Sequence, residues 1–546
     1  ATIGVLNPFI PPPPPPALPE PKNLFLSRYW RELPHRIRAE TNLKRRAELT
    51  AERDELAEEY EHRSRDYLRS VEAVREYPKS VAYRTGMTEF HMALVDLEER
   101  GLLQWDRAAN TYDMHPVVRA YAFDLLESGE RTKAFSTIGD YFASRHGENA
   151  YEATELAHLR NSVEIVRAFT GAGRGSDAAM FLRGRLSEAL LFNVGAHHTL
   201  IELLTPLLGT MQDGRLMLSD LRDRSYTMNN LAIALNYVGR LAEAKALYID
   251  AAQLDISVGD LFNLETGIRS LARCIQRANE LYPAERLLAL GASIAESKND
   301  QQGITSGVLD RLALAATLGK DEDAEKLYAA FRSRPSLPLH LYRAGAAEYH
   351  LAVARFHKGR LIENDLVPGE QLAMTGRGIQ NQHLFAALRA EWELTRKNPA
   401  AALDAIERAL AVVRRTGESA PEYLGVRANA LAQLGRHSDA HDAIADGARE
   451  WDGHLPRFPL HAAEACIRLG NEEAAGEYLT RAYRCAWADG PPYSHRYYLE
   501  RCRVWIDHLR LPEIQLPEFH GIKSEPTSFE QEIREIAAWS QTRRAE

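Results

Sequence analysis

The strongest constraint on the fold is a turn position that recurs every 40 residues through the middle of this 546-residue chain. The turn positions are Gly239, Asn279, Gly319 and Gly359. A small residue follows five positions later at Ala244, Ala284 and Ala324, and the pattern lapses at Asn364. Glycine is favoured at such a turn because it tolerates a left-handed backbone, and small residues allow two helices to cross closely. The interval therefore predicts an array of repeated helical hairpins.

One unit of the array matches a known repeat pattern nearly position by position. The segment Asn230 to Asp255, NLAIALNYVGRLAEAKALYIDAAQLD, resembles the tetratricopeptide motif at Leu231, Ala232, Gly239, Ala244, Tyr248 and Ala251. The resemblance implies a mostly α-helical superhelix, predicted over residues 226–510, with less regular units at Ala402, Gly435 and Gly470. Because 40 residues exceed the roughly 34 of the standard motif, we expect longer helices or loops. Stacking must stabilise the array, since no hairpin buries its apolar face alone.

A stacked array of this kind forms a concave groove lined by the first helix of each unit. The register of the Gly239 unit, extended by 40 residues at a time, predicts which side chains bind a partner there. They are Tyr226, Asn229, Asn236, Tyr237, Arg269, Arg273, Gln276, Arg277, Tyr349, Phe356 and His357. Arginine and aromatic residues carry much of the energy of protein interfaces, so we predict a protein partner. The alternative is that Arg273 and Arg277 pair with nearby carboxylates of the chain itself.

The periodicity changes twice between residues 87 and 126. A helix is predicted from Met87 to Arg100, and Gly101 ends it as a C-terminal cap. Two short strands are predicted at Leu102 to Trp105 and at Thr111 to Met114, with a polar turn between them. Helix resumes at Pro116, a favourable first helical residue because it lacks an N–H that would have no partner.

The pattern ALVDLEERGLLQW followed by TYDMHPVVRAYAFDLL resembles the winged-helix domain of STAND-class, NLR-like signalling ATPases. In that family the wing ends in a Met-His-Asp motif whose histidine approaches the phosphate of bound ADP. The motif here is Met114, His115, Pro116, and the proline at its third position is similar to the bacterial branch. A histidine at a helix N-terminus is also well placed for an anion on physical grounds. The alternative is a helix-capping or core histidine.

The resemblance implies a regulatory and sensor region rather than a complete machine. ADP or ATP with magnesium would bind to the full-length protein, with its main cradle in an upstream domain, and this chain alone would bind neither. A protein trigger in the groove would shift a closed ADP form toward an open ATP form that self-associates. Upstream nucleotide-binding and effector domains are expected, and the resemblance places such proteins in antiphage or innate immune defence.

The remaining segments are assigned from composition. Residues 1–24 are predicted to be the end of an upstream element followed by a linker with six consecutive prolines, which favour an extended conformation. Residues 25–86 are predicted to be a charged helical insertion, 87–130 the winged-helix domain and 131–225 irregular helical repeats. Residues 511–546 form a C-terminal tail.

Composition and missing motifs exclude several function classes. A net charge of −9 argues against a general nucleic-acid binder. No apolar run of about 18 residues occurs, so no membrane contact is expected. The four cysteines form no CxxC pair, which predicts a reducing, cytoplasmic compartment. The adjacent His197 and His198 would point about 100° apart on a helix and could not chelate one metal. Without GxxxxGK[ST], HExxH or GxSxG, no catalytic residue is predicted.

Two other functions stay open at this level. A STAND-type transcriptional regulator would use its winged helix on DNA, but the predicted helix carries Glu89, Asp96, Glu98 and Glu99, which repel phosphates. A plain tetratricopeptide scaffold would bind proteins without any nucleotide switch. The absence of a P-loop upstream in the full-length sequence would favour that scaffold.

Overall fold

A computed structural model of the chain describes residues 79–106, 111–144, 147–211, 214–334, 343–376, 378–516 and 529–535, with scattered residues between 37 and 76. The predicted proline-rich linker and most of the predicted charged insertion lie outside the described residues. The chain divides into two compact units. The first comprises residues 1–149 and 159–181, and the second comprises residues 150–158 and 182–546.

Among the residues that the structure describes, the first unit is helical apart from one β-hairpin. Its elements are α1 (Val81–Glu99), β1 (Gln104–Asp106), β2 (Thr111–Asp113), α2 (Pro116–Leu125), α3 (Ser128–Ser144), α4 (Arg160–Gly171) and α5 (Gly175–Phe181). The strands pair antiparallel with Trp105 opposite Tyr112. Strand β2 begins where it was predicted, and β1 begins two residues after its predicted start. Helix α1 begins six residues before the predicted start, because the Ser80 side chain caps it by accepting from the Tyr83 N–H at 3.1 Å.

A small apolar cluster holds the hairpin to α1. Leu94 and Leu103 are buried together, with Phe90, Leu97 and Met114 packed against them. Gly101 ends the helix with a left-handed φ of +69°, which a residue with a side chain rarely adopts. The hairpin and its flanking helices are therefore present, while their assignment as a winged-helix domain stays a prediction.

The second unit begins with short helical pieces and continues as paired helices. The short elements are 3-10 helices at Leu156–Leu159 and Thr205–Leu208, π-helical turns at Leu182–Leu186 and Ala189–Asn193, and α6 (His197–Leu204). The first pairs are α7 (Leu221–Tyr237) with α8 (Leu241–Val258), α9 (Leu261–Arg277) with α10 (Leu281–Ser297), and α11 (Gln301–Leu318) with α12 (Asp321–Arg332).

Further pairs continue the array toward the C-terminus. They are α13 (Ala346–His357) with α14 (Glu363–Thr375), α15 (Ile379–Thr395) with α16 (Pro399–Thr416), α17 (Pro421–Gln433) with α18 (His437–Glu450), and α19 (Arg457–Arg468) with α20 (Glu472–Trp487). The last helix is α21 (Arg496–Leu509). The second unit is a tetratricopeptide-like α-solenoid, as predicted.

The turn positions that recur in the sequence share one backbone conformation. Gly239, Asn279, Gly319 and Gly359 all adopt a left-handed conformation, with φ between +65° and +83°. Ala244, Ala284 and Ala324 are each 0% exposed, at the crossings where a larger side chain would separate the helices. The interval reaches 40 residues because α7 to α11 contain 17 or 18 residues each. The prediction of longer helices is therefore correct.

A second series with the same interval starts the first helix of each unit. Asp220, Asp260 and Asp300 are the N-cap residues of α7, α9 and α11. Each carboxylate accepts hydrogen bonds from N–H groups of the first turn, at 2.9 to 3.1 Å. These N–H groups have no partner within the helix, so the caps fix where each first helix begins.

The helix crossing at Ala284 makes a direct test of the fold. We expect Ala284→Leu to lower the free energy of unfolding by about 1–3 kcal/mol, because the added atoms must force α9 and α10 apart. Ala289→Leu introduces the same side chain in the same helix at an exposed position and should change stability by less than about 0.5 kcal/mol. Urea unfolding followed by circular dichroism measures both, and equal effects would contradict the assigned crossing.

Candidate functional site

The eleven residues predicted to bind a partner are all at least half-buried. Asn229, Arg269 and Phe356 are buried, at 9%, 4% and 4% exposure. The other eight are half-buried, namely Tyr226, Asn236, Tyr237, Arg273, Gln276, Arg277, Tyr349 and His357. We call these eleven residues together the inner wall. Their role in partner binding stays a prediction.

The arginines of the inner wall have partners within the chain. Arg269 lies between Glu265 and Asp310, with its Nη1 2.8 Å from Asp310 Oδ2. Arg273 Nη1 is 3.4 Å from Asp310 Oδ1, so the alternative of internal pairing holds for this residue. Burial alone would raise the pKa of Asp310, but Arg273 and Arg269 outweigh it and hold the pKa at about 2. Arg277 instead donates to the main-chain oxygen atoms of Asn236 and Ser419.

The aromatic part of the inner wall packs against a helix much later in the chain. The ring of His357 stacks on Tyr497 of α21, with ring centres 4.5 Å apart. Phe356 contacts the same tyrosine at 5.3 Å. Burial lowers the pKa of His357 to about 4, so the ring is neutral at physiological pH. A partner cannot reach these faces while α21 occupies them.

A buried network of charges lies deeper in the second unit and was not found from the sequence. Arg457 pairs with Glu391, and His461 Nε2 lies 3.1 Å from the same carboxylate. The other ring nitrogen of His461 is 3.4 Å from Glu464, which also pairs with Arg501. Burial alone would raise the pKa of Glu391, but Arg457 and His461 hold it at about 2. The sequence did contain a sign of this network, because its charged residues occupy helix positions that are expected to be apolar when a helix is packed on both sides.

Turns that lie far apart along the chain meet in the second unit. At the Gly239 turn, a side chain would come within 2.9 Å of Ser419. At the next turn, the Asn279 side chain donates to the Cys485 main-chain oxygen at 2.8 Å, and its Oδ1 lies 2.7 Å from His495 Nε2. These pairs are 206 and 216 residues apart. The superhelix therefore closes on itself, because later units contact the turns of earlier ones.

A shallow pocket opens beside this closure. Its lining residues are Arg277, Ser419, Pro421, Glu422, Trp451, Asp452, Leu455 and Phe458. The pocket combines an arginine, two carboxylates and aromatic rings. Arg277 is the one predicted partner-binding residue among these lining residues.

The structure gives His115 a capping role. It is exposed and is the N-cap residue of α2, where its Nδ1 accepts a hydrogen bond from the Val117 N–H at 3.3 Å. A ring that accepts at Nδ1 carries its proton on Nε2 when neutral. The Nε2–H is not used by this cap, and its predicted contact with a phosphate oxygen of ADP or ATP stays a prediction. A single hydrogen-bond donor is not enough to bind a nucleotide, so the nucleotide's other contacts would have to come from outside this chain.

Two further properties of the described residues bear on function. No helix among them is both long enough and apolar enough to cross a bilayer. Within the same described ranges, no group of three or more histidine, cysteine or acidic residues has the arrangement of a metal site. All four cysteines are free, and three of them are buried.

The comparisons with known proteins give weak likenesses only. No protein-family model matches the chain, and no curated protein matches it. Among solved structures it is similar to a STAND protein with a tetratricopeptide repeat sensor from Pyrococcus horikoshii, at 16% identity over 77% of this chain, with a TM-score of 0.39. The chain spans 59% of that protein's length. It is also similar to the APC/C hetero-tetramer Cut9-Hcn1, at 11% identity over 80% of this chain and 92% of that one, with a TM-score of 0.30. Neither likeness carries an argument about function.

The Glu391 network generates a prediction about pH. At pH 7, Glu391→Gln should cost about 3–5 kcal/mol of stability, because it leaves the buried Arg457 without its counter-charge. The native carboxylate contributes fully above its ordinary pKa of 4.5 and loses its contribution as pH falls toward 2. The deficit of the variant should therefore shrink in acid, as measured by urea unfolding between pH 7 and pH 3.

The control for this prediction is Glu243→Gln. Glu243 also pairs with an arginine, Arg240, but both side chains are at least half exposed. We expect this variant to lose less than about 1 kcal/mol. Equal losses in the two variants, or a deficit in Glu391→Gln that stays constant down to pH 3, would contradict the assigned network.

Proposed function

We propose that this chain is the regulatory and ligand-sensing half of a STAND-type, NLR-like ATPase. The solenoid recognises a protein trigger, and the region around the β-hairpin reports the state of the solenoid to a nucleotide-binding domain elsewhere in the polypeptide. Binding of the trigger favours an ATP form that self-associates over a closed ADP form. The resemblance of the segment around His115 to the STAND winged helix supports the nucleotide part of this proposal.

The feature that supports the sensing role is the predicted inner wall. The register of the repeat predicts that arginine and aromatic side chains from three separate units line one surface. Arg277 and Tyr237 come from neighbouring units, and Tyr349 comes from two units further along. Such side chains dominate the energetics of protein interfaces, whereas an enzyme would need a nucleophile, an acid or base and an oxyanion donor in one pocket. We therefore assign recognition, and no chemistry, to this chain.

A role in antiphage or innate immune defence follows from the family resemblance alone. The solenoid would detect a foreign or damage-associated protein, and an effector domain elsewhere in the polypeptide would act on it. Control of transcription is the main competing role. It is less favoured because the acidic side chains Asp96, Glu98 and Glu99 lie along α1, the helix that would approach DNA.

The central test uses the intact polypeptide. It should contain a P-loop upstream of this chain, purify with bound ADP, and form a larger assembly with a non-hydrolysable ATP analogue, as measured by mass photometry. An intact polypeptide with neither a P-loop nor bound nucleotide would overturn the proposal and leave a plain protein-binding scaffold.

His115 gives a sharper prediction in the same intact protein. His115→Ala should weaken ADP retention by about tenfold or more, because it removes a hydrogen bond to a charged phosphate that contributes roughly 1.5–3 kcal/mol. It should also raise basal self-association. Nucleotide release followed by stopped-flow fluorescence of a labelled ADP measures the first effect.

The capping role of His115 calls for a matched control. Asparagine is among the best N-cap residues but is shorter than histidine, so His115→Asn keeps the helix cap and removes the reach toward phosphate. If both variants release ADP faster, phosphate contact is supported. If only His115→Ala does so, the effect comes from the lost cap and His115 has no phosphate role.

A further inference from the structure

The loop between α16 and α17, residues Gly417–Ala420, lies against the first units of the solenoid. We call it the 417–420 loop. The Ser419 N–H donates to the main-chain oxygen of Tyr237 at 3.0 Å. The Ser419 oxygen in turn accepts from Arg277 Nη2 at 3.4 Å, across 142 residues of sequence. The main chain of Ser419 therefore donates one hydrogen bond and accepts another at this contact.

The Glu418 side chain anchors this loop between two histidines. Its Oε1 lies 3.2 Å from His197 Nε2, and its Oε2 lies 3.1 Å from His383 Nε2. All three side chains are at most 6% exposed. Burial alone would raise the pKa of Glu418, but His197 and His383 beside the carboxylate hold that pKa well below its ordinary value. The loop therefore places an ionised carboxylate in a site that water barely reaches.

The loop packs closely against the residues that it contacts, and we call this contact surface the seat of the loop. A Cβ on Gly239 would approach the Ser419 Cβ to 2.9 Å, and a Cβ on Gly417 would approach the His198 ring to 2.8 Å. Both glycines also have left-handed φ angles, of +83° and +69°. A side chain at either position would separate the two surfaces.

The seat of the loop coincides with part of the inner wall. Tyr237 provides the main-chain acceptor for Ser419, and its ring stacks on His197 at 4.6 Å. Arg277 donates hydrogen bonds to the main-chain oxygen atoms of Ser419 and Asn236. Tyr237 and Arg277, which the loop contacts, are two of the residues predicted to bind the partner. The loop and a partner therefore compete for the same groups.

We propose that the 417–420 loop is an autoinhibitory clasp, which holds the superhelix closed over Tyr237 and Arg277 and must leave its seat before a partner protein can bind them. This inference rests on the proposed role of the inner wall in recognition. Because the loop belongs to the same chain, its effective concentration at the seat is high, and a partner must bind the open form preferentially in order to displace it.

Removal of the Glu418 carboxylate tests the clasp in this chain without nucleotide or partner. We expect Glu418→Ala to increase hydrogen–deuterium exchange of the amides at 418–420 by at least tenfold, because the loop then opens locally. Hydroxyl-radical footprinting should show Tyr237 becoming several-fold more reactive. Glu418→Gln keeps the side-chain volume and removes the charge, so it should change both measurements in the same direction and serves if the alanine variant fails to fold.

The control is Glu450→Ala, which removes an exposed carboxylate at the end of α18 and should change neither measurement. Unchanged exchange at 418–420 in a folded Glu418 variant would overturn the proposal, because the carboxylate would not hold the loop. Faster exchange of the loop without greater reactivity of Tyr237 would also overturn it, because the loop would not cover the inner wall. Absence of nucleotide-dependent assembly in the intact wild-type protein would instead overturn the proposed function and leave the clasp standing.

Discussion

The close crossing of paired helices is the constraint on which the rest of the solenoid depends. Ala244, Ala284 and Ala324 have no exposed surface, and each follows a left-handed turn by five residues. A methyl group at the crossing allows the two helices to approach, and the turn fixes the direction of the second helix. Because these two features recur with one interval, successive first helices present the same face inward. The inner wall is a consequence of that geometry.

Charged groups that lie inside a closed superhelix need counter-charges within the protein. Arg269 of the inner wall pairs with Glu265 and Asp310, and Arg457, deeper in the second unit, pairs with Glu391. A buried ion pair adds little net stability compared with apolar residues of similar size, because both charges lose their water. The two charged groups of such a pair must nevertheless meet in one arrangement. We interpret these pairs as devices that fix the register between units, whereas apolar contacts would tolerate a slip.

The sequence was informative about each unit and silent about how distant units meet. The left-handed turns and the buried alanines follow from local rules, so both were predicted, and so was the hairpin that precedes His115. Contacts such as His197 with Glu418 join residues 221 positions apart and depend on the pitch of the superhelix. Pitch arises from small rotations added over several units, which a 40-residue interval does not encode. The inner wall was therefore predicted as an open groove, and its closure was not.

Several of the contacts that close the superhelix are of a kind that can break and re-form. An apolar seam would lose its burial energy on opening, and the exposed surface would aggregate. Tyr497 does pack on Phe356 and His357, but the contacts at Glu418, Asn279 and His495 involve groups that water solvates well once they separate. Opening then costs the loss of well-aligned bonds, which solvation partly offsets. In the proposed function, a trigger must supply the remaining free energy through tighter binding to the open form, so each added closing contact would raise the affinity that a partner needs to open the solenoid.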